Sequence, residues 1–322
     1  YADMPSAPYA KAGMEAVYQA ISDGVEALAK TFPDAAFITF TMHGMGTNDA
    51  DVSTMAMLPE FMFRFSMDEQ MFSAREDWMA TDTPSLALGE NWEQAINGQI
   101  KAPLSLRIRN KLTRLIGGGF DISYDTDGVD DANLASHAQG VEWMPGASYR
   151  PFWPQMKAFA VPSFFYGRVR VNLKGREANG VVDQSDYVTT LNEVERELRS
   201  CVDTKTGLTV IKDIVRMSEA NPMALSKTQS DLEILWNECP LGFKHPKYGQ
   251  IGPVPMRRVG GHAGDLGALY VKANGVTSGD YGLRSSYDVP PTILDLAESH
   301  RPNRIDGESV MPLIRSTEQQ TG

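Results

Sequence analysis

The stretch of sequence that decides the fold runs Gly260-Gly261-His262-Ala263-Gly264-Asp265-Leu266-Gly267, and Asp288-Val289-Pro290-Pro291-Thr292-Ile293-Leu294 follows it further along the chain. His262 stands between small residues, so its imidazole has little steric cover and can face a cleft. Glycine also allows the backbone to approach a ligand closely. These features make His262 a candidate binding residue, with an ordinary structural role as the alternative.

The amino-acid composition limits the classes of protein to which the chain can belong. A chain of 322 residues with 42% hydrophobic and 22% charged residues is typical of a globular protein with a substantial core. Its net charge of −11 argues against a nucleic-acid-binding surface, but a few local cations or metals would still allow a small phosphorylated substrate. No apolar run reaches the length of a transmembrane segment. Cys201 and Cys239 lack a CxxC spacing, which predicts reduced thiols and favours a cytoplasmic location.

The first part of the chain predicts half of an α/β unit. Apolar residues spaced three and four apart over residues 8–30 indicate an amphipathic helix, and residues 36–41 are typical of a buried strand. The strand leads into the glycine-bearing loop Met42-His43-Gly44-Met45-Gly46. Ligands of α/β sheets bind beyond the carboxyl ends of strands. His43 is therefore a second candidate binding residue.

The remaining chain predicts further alternation of strands and helices, and hence a single α/β domain over residues 1–322. A region at about 58–140, with helices at 60–72 and 104–116, is interpreted as a cap or insertion over the site. Period-two and apolar patterns indicate the other strands, and Ser185 is expected to cap a helix over 186–199. The predicted strands are 158–161, 168–173, 207–211, 232–236 and 268–272, and a last helix is expected from Pro290 to Glu298.

Several charged groups leave two interpretations open. The acidic run at 125–131 favours a solvated turn over a calcium loop, because its glycine is misplaced and no glutamate closes it. Basic residues at 107–114 indicate a lid or a solvated helix face. The cations of residues 168–176 either reach a substrate phosphate or form structural salt bridges; they are Arg168, Arg170, Lys174 and Arg176.

Three segments together resemble the alkaline phosphatase superfamily, and most closely its type I phosphodiesterase and nucleotide pyrophosphatase branch. Thr41-Met42-His43-Gly44-Met45-Gly46 is similar to the family's Ser-Asp-His-Gly-Met segment. Residues 167–177 resemble a hairpin of that branch. Residues 288–296 with Asp306-Gly307 resemble the family's structural tail. The resemblance implies a three-layer α/β sandwich with a mixed sheet, of which this chain is the C-terminal portion.

The resemblance also implies a function: metal-dependent hydrolysis of phosphodiester or pyrophosphate bonds. Two divalent metal ions, zinc or manganese, would be bound, one by His43 and the other by His262. The family's nucleophile, a serine or threonine, would lie upstream of Tyr1. We therefore expect no catalytic residue within residues 1–322 and no activity from this chain alone.

Met42 occupies the position of a metal-binding aspartate in the family segment. A thioether is a soft, neutral donor and replaces a carboxylate poorly on zinc or manganese. Asp49 or Asp51 could fold back to supply the missing oxygen, with a solvated loop as the alternative. The competing hypothesis for the whole chain is a catalytically degenerate binding or scaffolding member of the same fold. Sulfate-ester hydrolysis is a third possibility, since it uses the same late histidine.

Overall fold

The computed structural model describes residues 7–48, 50–103, 143–217, 221–258, 260–264 and 266–315. These residues form a mixed α/β structure with small antiparallel sheets. The chain divides into two compact units. The split unit consists of Tyr1–Thr47 and Val259–Gly322, and the continuous unit of Asn48–Arg258. The single domain with an insertion at 58–140 stays a prediction.

The regular elements are numbered in chain order. The described helices are α1 (Ala7–Thr31), α2 (Leu58–Met67), α3 (Glu76–Met79), α4 (Trp92–Asn97), α5 (Tyr187–Arg199), α6 (Val289–Leu296) and α7 (Met311–Ile314). The strands are β1 (Phe37–Thr41), β2 (Gly44–Thr47), β3 (Ala158–Val161), β4 (Gly167–Val171), β5 (Val202–Asp203), β6 (Ile211–Arg216), β7 (Leu232–Trp236), β8 (Phe243–His245), β9 (Gly249–Ile251), β10 (Gly260–Gly264) and β11 (Ala268–Lys272). A π-helical turn, Ser53–Met57, precedes α2.

Four small sheets are built from these strands. The split unit contains the pairs β1–β11 and β2–β10. The continuous unit contains a four-stranded sheet, ordered β3-β4-β7-β6, and a three-stranded sheet, ordered β5-β8-β9. Every pairing between the described strands is antiparallel. The α/β class is thus confirmed, whereas a mixed sheet is not seen in the described residues and the three-layer sandwich stays a proposal.

The core of the continuous unit forms around α2 and the four-stranded sheet. Helix α2 is apolar on most of its surface, and such a helix is stable only when it is buried on all sides. Its residues from Leu58 to Arg64 are all buried. The helix predicted over residues 60–72 is shorter than expected, because Asp68 adopts a left-handed conformation (φ 54°) and ends it.

Helix α1 confirms the predicted amphipathic helix, but none of its residues is buried. The prediction of a buried strand at residues 36–41 was wrong: β1 is exposed or half-buried throughout. Strand β1 has one neighbour among the described strands, β11, and its exposure shows that little of the described chain packs on its faces. The exposed large hydrophobic residues of α1 are Tyr9, Met14, Val17, Tyr18, Ile21, Val25 and Leu28.

The bounds of the other helices and strands show which predictions from local sequence patterns agree with the structure. Ser185 is not a helix cap: it lies in a 3₁₀ turn, and the cap position of α5 is Asp186. The strand expected at 207–211 begins only at Ile211, because the preceding residues form a turn and an isolated bridge. Strands β3, β7 and β11 confirm their predicted bounds. The helix predicted at 104–116, its basic residues and the acidic run at 125–131 lie outside the described residues.

The C-terminal tail is held together by hydrogen bonds between its own residues. The Asp288 carboxylate accepts a hydrogen bond from the Glu308 amide at 2.9 Å, and the Thr292 hydroxyl accepts one from the Val310 amide at 3.0 Å. Gly307 is in the left-handed region with φ 90°, which favours glycine. These bonds tie the start of α6 to the segment that leads into α7. The tail's residues therefore serve packing, as the resemblance implies.

Candidate functional site

The first feature of the candidate site is a pair of glycine-rich strands in the split unit. Strands β2 and β10 are antiparallel, with Gly44 opposite Gly264 and Gly46 opposite Gly261. The register shifts between Gly261 and Gly264, as at a β-bulge. Bulges occur often beside functional sites because they re-aim a side chain. Glycine facing glycine also leaves this part of the sheet without side-chain cover.

The two histidines predicted as metal ligands lie on these paired strands. His262 is in β10 within the shifted register, and His43 directly precedes β2. Adjacent strands are separated by about 5 Å, so the pairing places the two histidine-bearing segments in one two-stranded sheet, with His43 offset along the strands from His262. Their role as metal ligands stays a prediction.

The tautomer of His43 follows from a contact with its own chain. The imidazole is exposed, and its Nδ1 atom lies 3.1 Å from the carbonyl oxygen of Gly44. A carbonyl oxygen can only accept, so Nδ1 carries the proton and the lone pair is on Nε2. A metal-binding histidine typically donates its second ring nitrogen to a carbonyl or carboxylate in this way. A neutral His43 ring with its proton on Nδ1 has the lone pair on Nε2, the atom through which such a histidine binds a metal.

The chain just before His43 is held by close contacts of Thr41 with Gly267 and Ala268. The Ala268 amide donates to the Thr41 hydroxyl at 3.0 Å, where β1 ends and β11 begins. A Cβ atom at Gly267 would lie 1.9 Å from the Thr41 carbonyl oxygen, far inside van der Waals contact. Only glycine fits there. The geometry of this crossing thus determines where the loop bearing Met42 and His43 starts.

The missing carboxylate is not replaced by Asp51. This carboxylate is buried in the continuous unit and pairs with the Arg257 guanidinium at 3.1 Å. Arg257 also contacts the Glu93 carboxylate at 3.0 Å. Asp51 is thus committed to a structural ion pair, and the other suggested donor, Asp49, lies outside the described residues. Met42 itself is 54% exposed.

The donor chemistry of the site fits a borderline metal such as zinc or manganese, because imidazole nitrogen is a common ligand of such ions. Among the side chains that the structure describes, no group of three or more His, Cys, Asp or Glu residues is arranged to hold a metal ion. The described part of the site therefore contributes an imidazole donor, and a complete coordination sphere would need further ligands.

The contacts of the cations at residues 168–176 favour the second interpretation, in which these cations form structural salt bridges. Arg176 contacts the buried Asp231 carboxylate through both terminal nitrogens at 2.7 Å. Arg170 pairs with Glu177 at 2.7 Å, and the weaker Arg168–Glu233 pair has a separation of 3.4 Å. These arginines neutralise carboxylates of their own unit, which leaves them no role in binding a phosphate.

The other histidines have separate roles. His137 lies outside the described residues, and His300 is exposed after α6. His245 is buried, and its Nδ1 accepts the amide protons of Lys247 and Tyr248, both at 3.1 Å. Burial lowers the pKa of His245 below its usual value, although the Glu197 carboxylate opposes this. His245 is therefore a structural, neutral histidine.

A pH-dependent loss of stability is expected from His245. Its folded pKa is lower than the unfolded value of about 6.5, so the unfolded chain binds more protons below that pH and stability falls as the pH decreases. We expect the free energy of unfolding in urea to decrease more between pH 7.5 and 5.5 in the wild type than in His245→Asn. The exposed-site control His300→Asn should keep the wild-type slope. Equal slopes in wild type and His245→Asn would contradict the assignment.

A cavity of about 630 Å³ in the split unit is a feature that sequence reasoning missed. Its wall begins at Thr41 and Met42 and continues through β11, the loop at 273–286 and the two C-terminal helices. The loop has no recognisable motif. Its composition of glycine, serine and tyrosine was the available signal: the run reads Thr277-Ser278-Gly279-Asp280-Tyr281-Gly282-Leu283-Arg284-Ser285-Ser286.

Comparison with known proteins gives no match to a family model, a curated protein or a solved structure. No helix within the described ranges has both the length and the apolar composition needed to cross a bilayer. The geometry of the split unit is consequently the basis for proposing a function.

Proposed function

We propose that this chain carries two histidine ligands of a metal-dependent hydrolase that cleaves phosphodiester or pyrophosphate bonds. The observation that carries the proposal is the pairing of β2 with β10, which brings the segments of His43 and His262 into one glycine-rich sheet. The fold proposed with it is the alkaline-phosphatase-like sandwich. The tautomer of His43 supports the same conclusion, since Nε2 has the lone pair that a metal requires.

In this reaction, residues of this chain would bind the metal ions and hold a metal-binding ring in place. His43 would bind one divalent ion and His262 the other, while the Gly44 carbonyl holds the His43 ring in place. When bound, two such ions would polarise the phosphoryl group and stabilise the charge of the leaving oxygen. The nucleophile would come from outside residues 1–322, and the substrate would be a small phosphorylated molecule.

Metal binding tests the proposal directly. We expect the chain, purified without chelator, to bind zinc or manganese in isothermal titration calorimetry and to gain thermal stability from either ion. His43→Ala and His262→Ala should each weaken zinc binding about tenfold, because each removes an imidazole ligand. His300→Ala is the matched control, since it removes an exposed histidine of the same unit and should leave the affinity unchanged.

Two results would count against the metal site. One is a chain that carries no stoichiometric metal and gains no thermal stability from zinc or manganese. The other is a His262→Ala variant with wild-type affinity, which would remove His262 from the site even if metal were bound elsewhere.

A second candidate function is a binding or scaffolding protein of the same fold that has lost catalysis. The exposed Met42 at the aspartate position favours this alternative, because a neutral thioether leaves a dinuclear site short of negative charge. It predicts a folded chain without metal affinity. The calorimetric experiment above therefore separates the two candidates.

We also propose a cytoplasmic location. Neither cysteine is in a disulfide: Cys201 is buried and Cys239 is half-buried. Reduced cysteines are typical of a reducing compartment. Burial raises the pKa of the Cys201 thiol, so this cysteine is a packing residue and not a nucleophile.

A further inference from the structure

Helix α1 carries a seam of large apolar side chains along its length. The seam residues follow one another at alternating intervals of four and three positions, which is the heptad spacing of a coiled-coil helix. None of them is buried, and Met14, Ile21 and Leu28 are each more than half exposed. The seam consists of Met14, Tyr18, Ile21, Val25 and Leu28, and Phe32 continues the spacing directly after the helix.

Four of the charged side chains of α1 are paired with each other within the helix. Lys11 lies 3.9 Å from Glu15, and Lys30 lies 2.6 Å from Glu26. Lys11 is one heptad before Tyr18, but its ammonium group is directed to Glu15, so its aliphatic stem is left to line the seam. A helix that binds a lipid surface has a polar face rich in Lys and Arg, whereas α1 contains three acidic and two basic residues. The charges therefore favour a protein partner.

Gly24 is a second indication of a partner that packs closely. Glycine in the middle of a helix lowers the stability of that helix relative to alanine. Gly24 lies three residues after Ile21, beside the seam, and a Cβ atom added to it would meet nothing within 4 Å. No contact among the described residues requires this glycine. A neighbouring helix that approaches α1 closely would require it.

An antiparallel pairing of two copies makes their seams complementary. When two α1 helices overlap over their whole length in opposite directions, Tyr18 lies opposite Ile21 of the second copy. Gly24 then faces Val17, so a small residue meets a branched side chain. In a parallel pairing each residue would meet its own copy, and two Lys11 side chains would repel each other in one layer of the seam. The sequence of α1 thus favours the antiparallel arrangement.

The exposed area of the seam is sufficient for a stable dimer. The seam residues and Val17 are each about half exposed and together present on the order of 700 Å² per chain to a partner. Specific interfaces bury roughly 600–1,000 Å² on each partner. One pair of α1 helices would therefore bury an area within the range of specific protein–protein interfaces.

We propose that α1 is a dimerisation helix, which pairs in antiparallel orientation with α1 of a second copy of this chain and buries the apolar seam between them. The pair has a twofold axis at its middle, so every contact occurs twice, as is usual in homodimers. No residue of α1 takes part in the proposed metal site. Dimerisation and the hydrolase function can therefore be tested apart.

Sedimentation velocity of the whole chain tests the proposal. We expect twice the mass of one chain at about 20 μM, which corresponds to a dissociation constant in the micromolar range or below. Ile21→Glu places two carboxylates in the seam of each dimer and should weaken dimerisation at least about 100-fold. Ala16→Glu is the matched control: it adds the same charge at an exposed position away from the seam and should leave the dissociation constant unchanged.

A wild-type chain that is monomeric at this concentration would overturn the proposal. So would an Ile21→Glu variant that dimerises as tightly as wild type. Circular dichroism of both variants checks that the helix is retained.

Oxidative cross-linking tests the orientation without a charge in the seam. In the antiparallel pair Met14 lies opposite Val25 of the second copy, whereas the two Met14 residues are about 16 Å apart along the helix axis. The double variant Met14→Cys with Val25→Cys should therefore form a disulfide-linked dimer on mild oxidation, and Met14→Cys alone should not exceed the wild-type level. Equal cross-linking of Met14→Cys alone would indicate a parallel pair, and a dimer that the double variant does not cross-link would place the interface outside α1. Either result would overturn the proposal.

Discussion

Replacing Met42 with aspartate is expected to raise the affinity of the chain for zinc about thirtyfold, which corresponds to about 2 kcal/mol. The substitution adds a carboxylate next to His43, whose Nδ1 is already engaged with the Gly44 carbonyl and whose Nε2 has the lone pair. Because the Met42 side chain is largely exposed, the new carboxylate would meet little desolvation cost. Calorimetric titration with zinc measures the change.

A matched variant distinguishes a ligand from a change of shape. Met42→Asn has nearly the same size as Met42→Asp but no charge, so we expect it to leave zinc affinity within about twofold of wild type. His43→Ala in the Met42→Asp background should cancel most of the gain, since the two side chains would act on one ion. A Met42→Asp variant that binds zinc no better than wild type would place this loop outside any metal site.

The sequence predicts the elements of this fold better than their assembly. The spacing of Met14, Val17 and Ile21 is sufficient to predict α1, because helix periodicity is a local property. Burial is not local: the same residues remain exposed, since cover depends on what packs against the helix. Strand β1 shows the same limit. Its apolar composition predicted burial, yet its one partner among the described strands is β11, and its residues are exposed or half-buried.

The histidines proposed as ligands could be selected from the sequence, because His43 and His262 each stand beside small residues. The β2–β10 pairing places their segments in one sheet, and their role as ligands stays a prediction. The ion pair of Asp51 could not be predicted from the sequence, because its partner, Arg257, is distant along the chain. Nor could the cavity, whose walls come from separate segments that meet only in the folded split unit.

The most damaging single change expected in the continuous unit is Asp231→Ala, which should lower the free energy of unfolding by roughly 4 kcal/mol. Asp231 is fully buried and accepts hydrogen bonds from both terminal nitrogens of Arg176, from the Val171 amide and from the Tyr187 hydroxyl, at 2.6–2.7 Å. Burial and this bond hold the pKa of Tyr187 above its usual value, so the hydroxyl stays a donor. Without the carboxylate, two donors, the Val171 amide and the Tyr187 hydroxyl, and the buried Arg176 guanidinium would lose this acceptor. Urea unfolding followed by circular dichroism measures the loss.

The contrast with a surface pair shows that burial, and not charge alone, sets this cost. Asp183 pairs with Lys174 at 2.9 Å, but both side chains are more than half exposed, so Asp183→Ala should cost less than about 1 kcal/mol. In a double variant, Asp231→Leu with Arg176→Met, stability should recover well above that of Asp231→Ala, because no buried charge is left unpaired. Equal losses for Asp231→Ala and Asp183→Ala would mean that the Asp231 network contributes only as an exposed pair does. The expected order instead follows from how completely each carboxylate has exchanged water for protein donors.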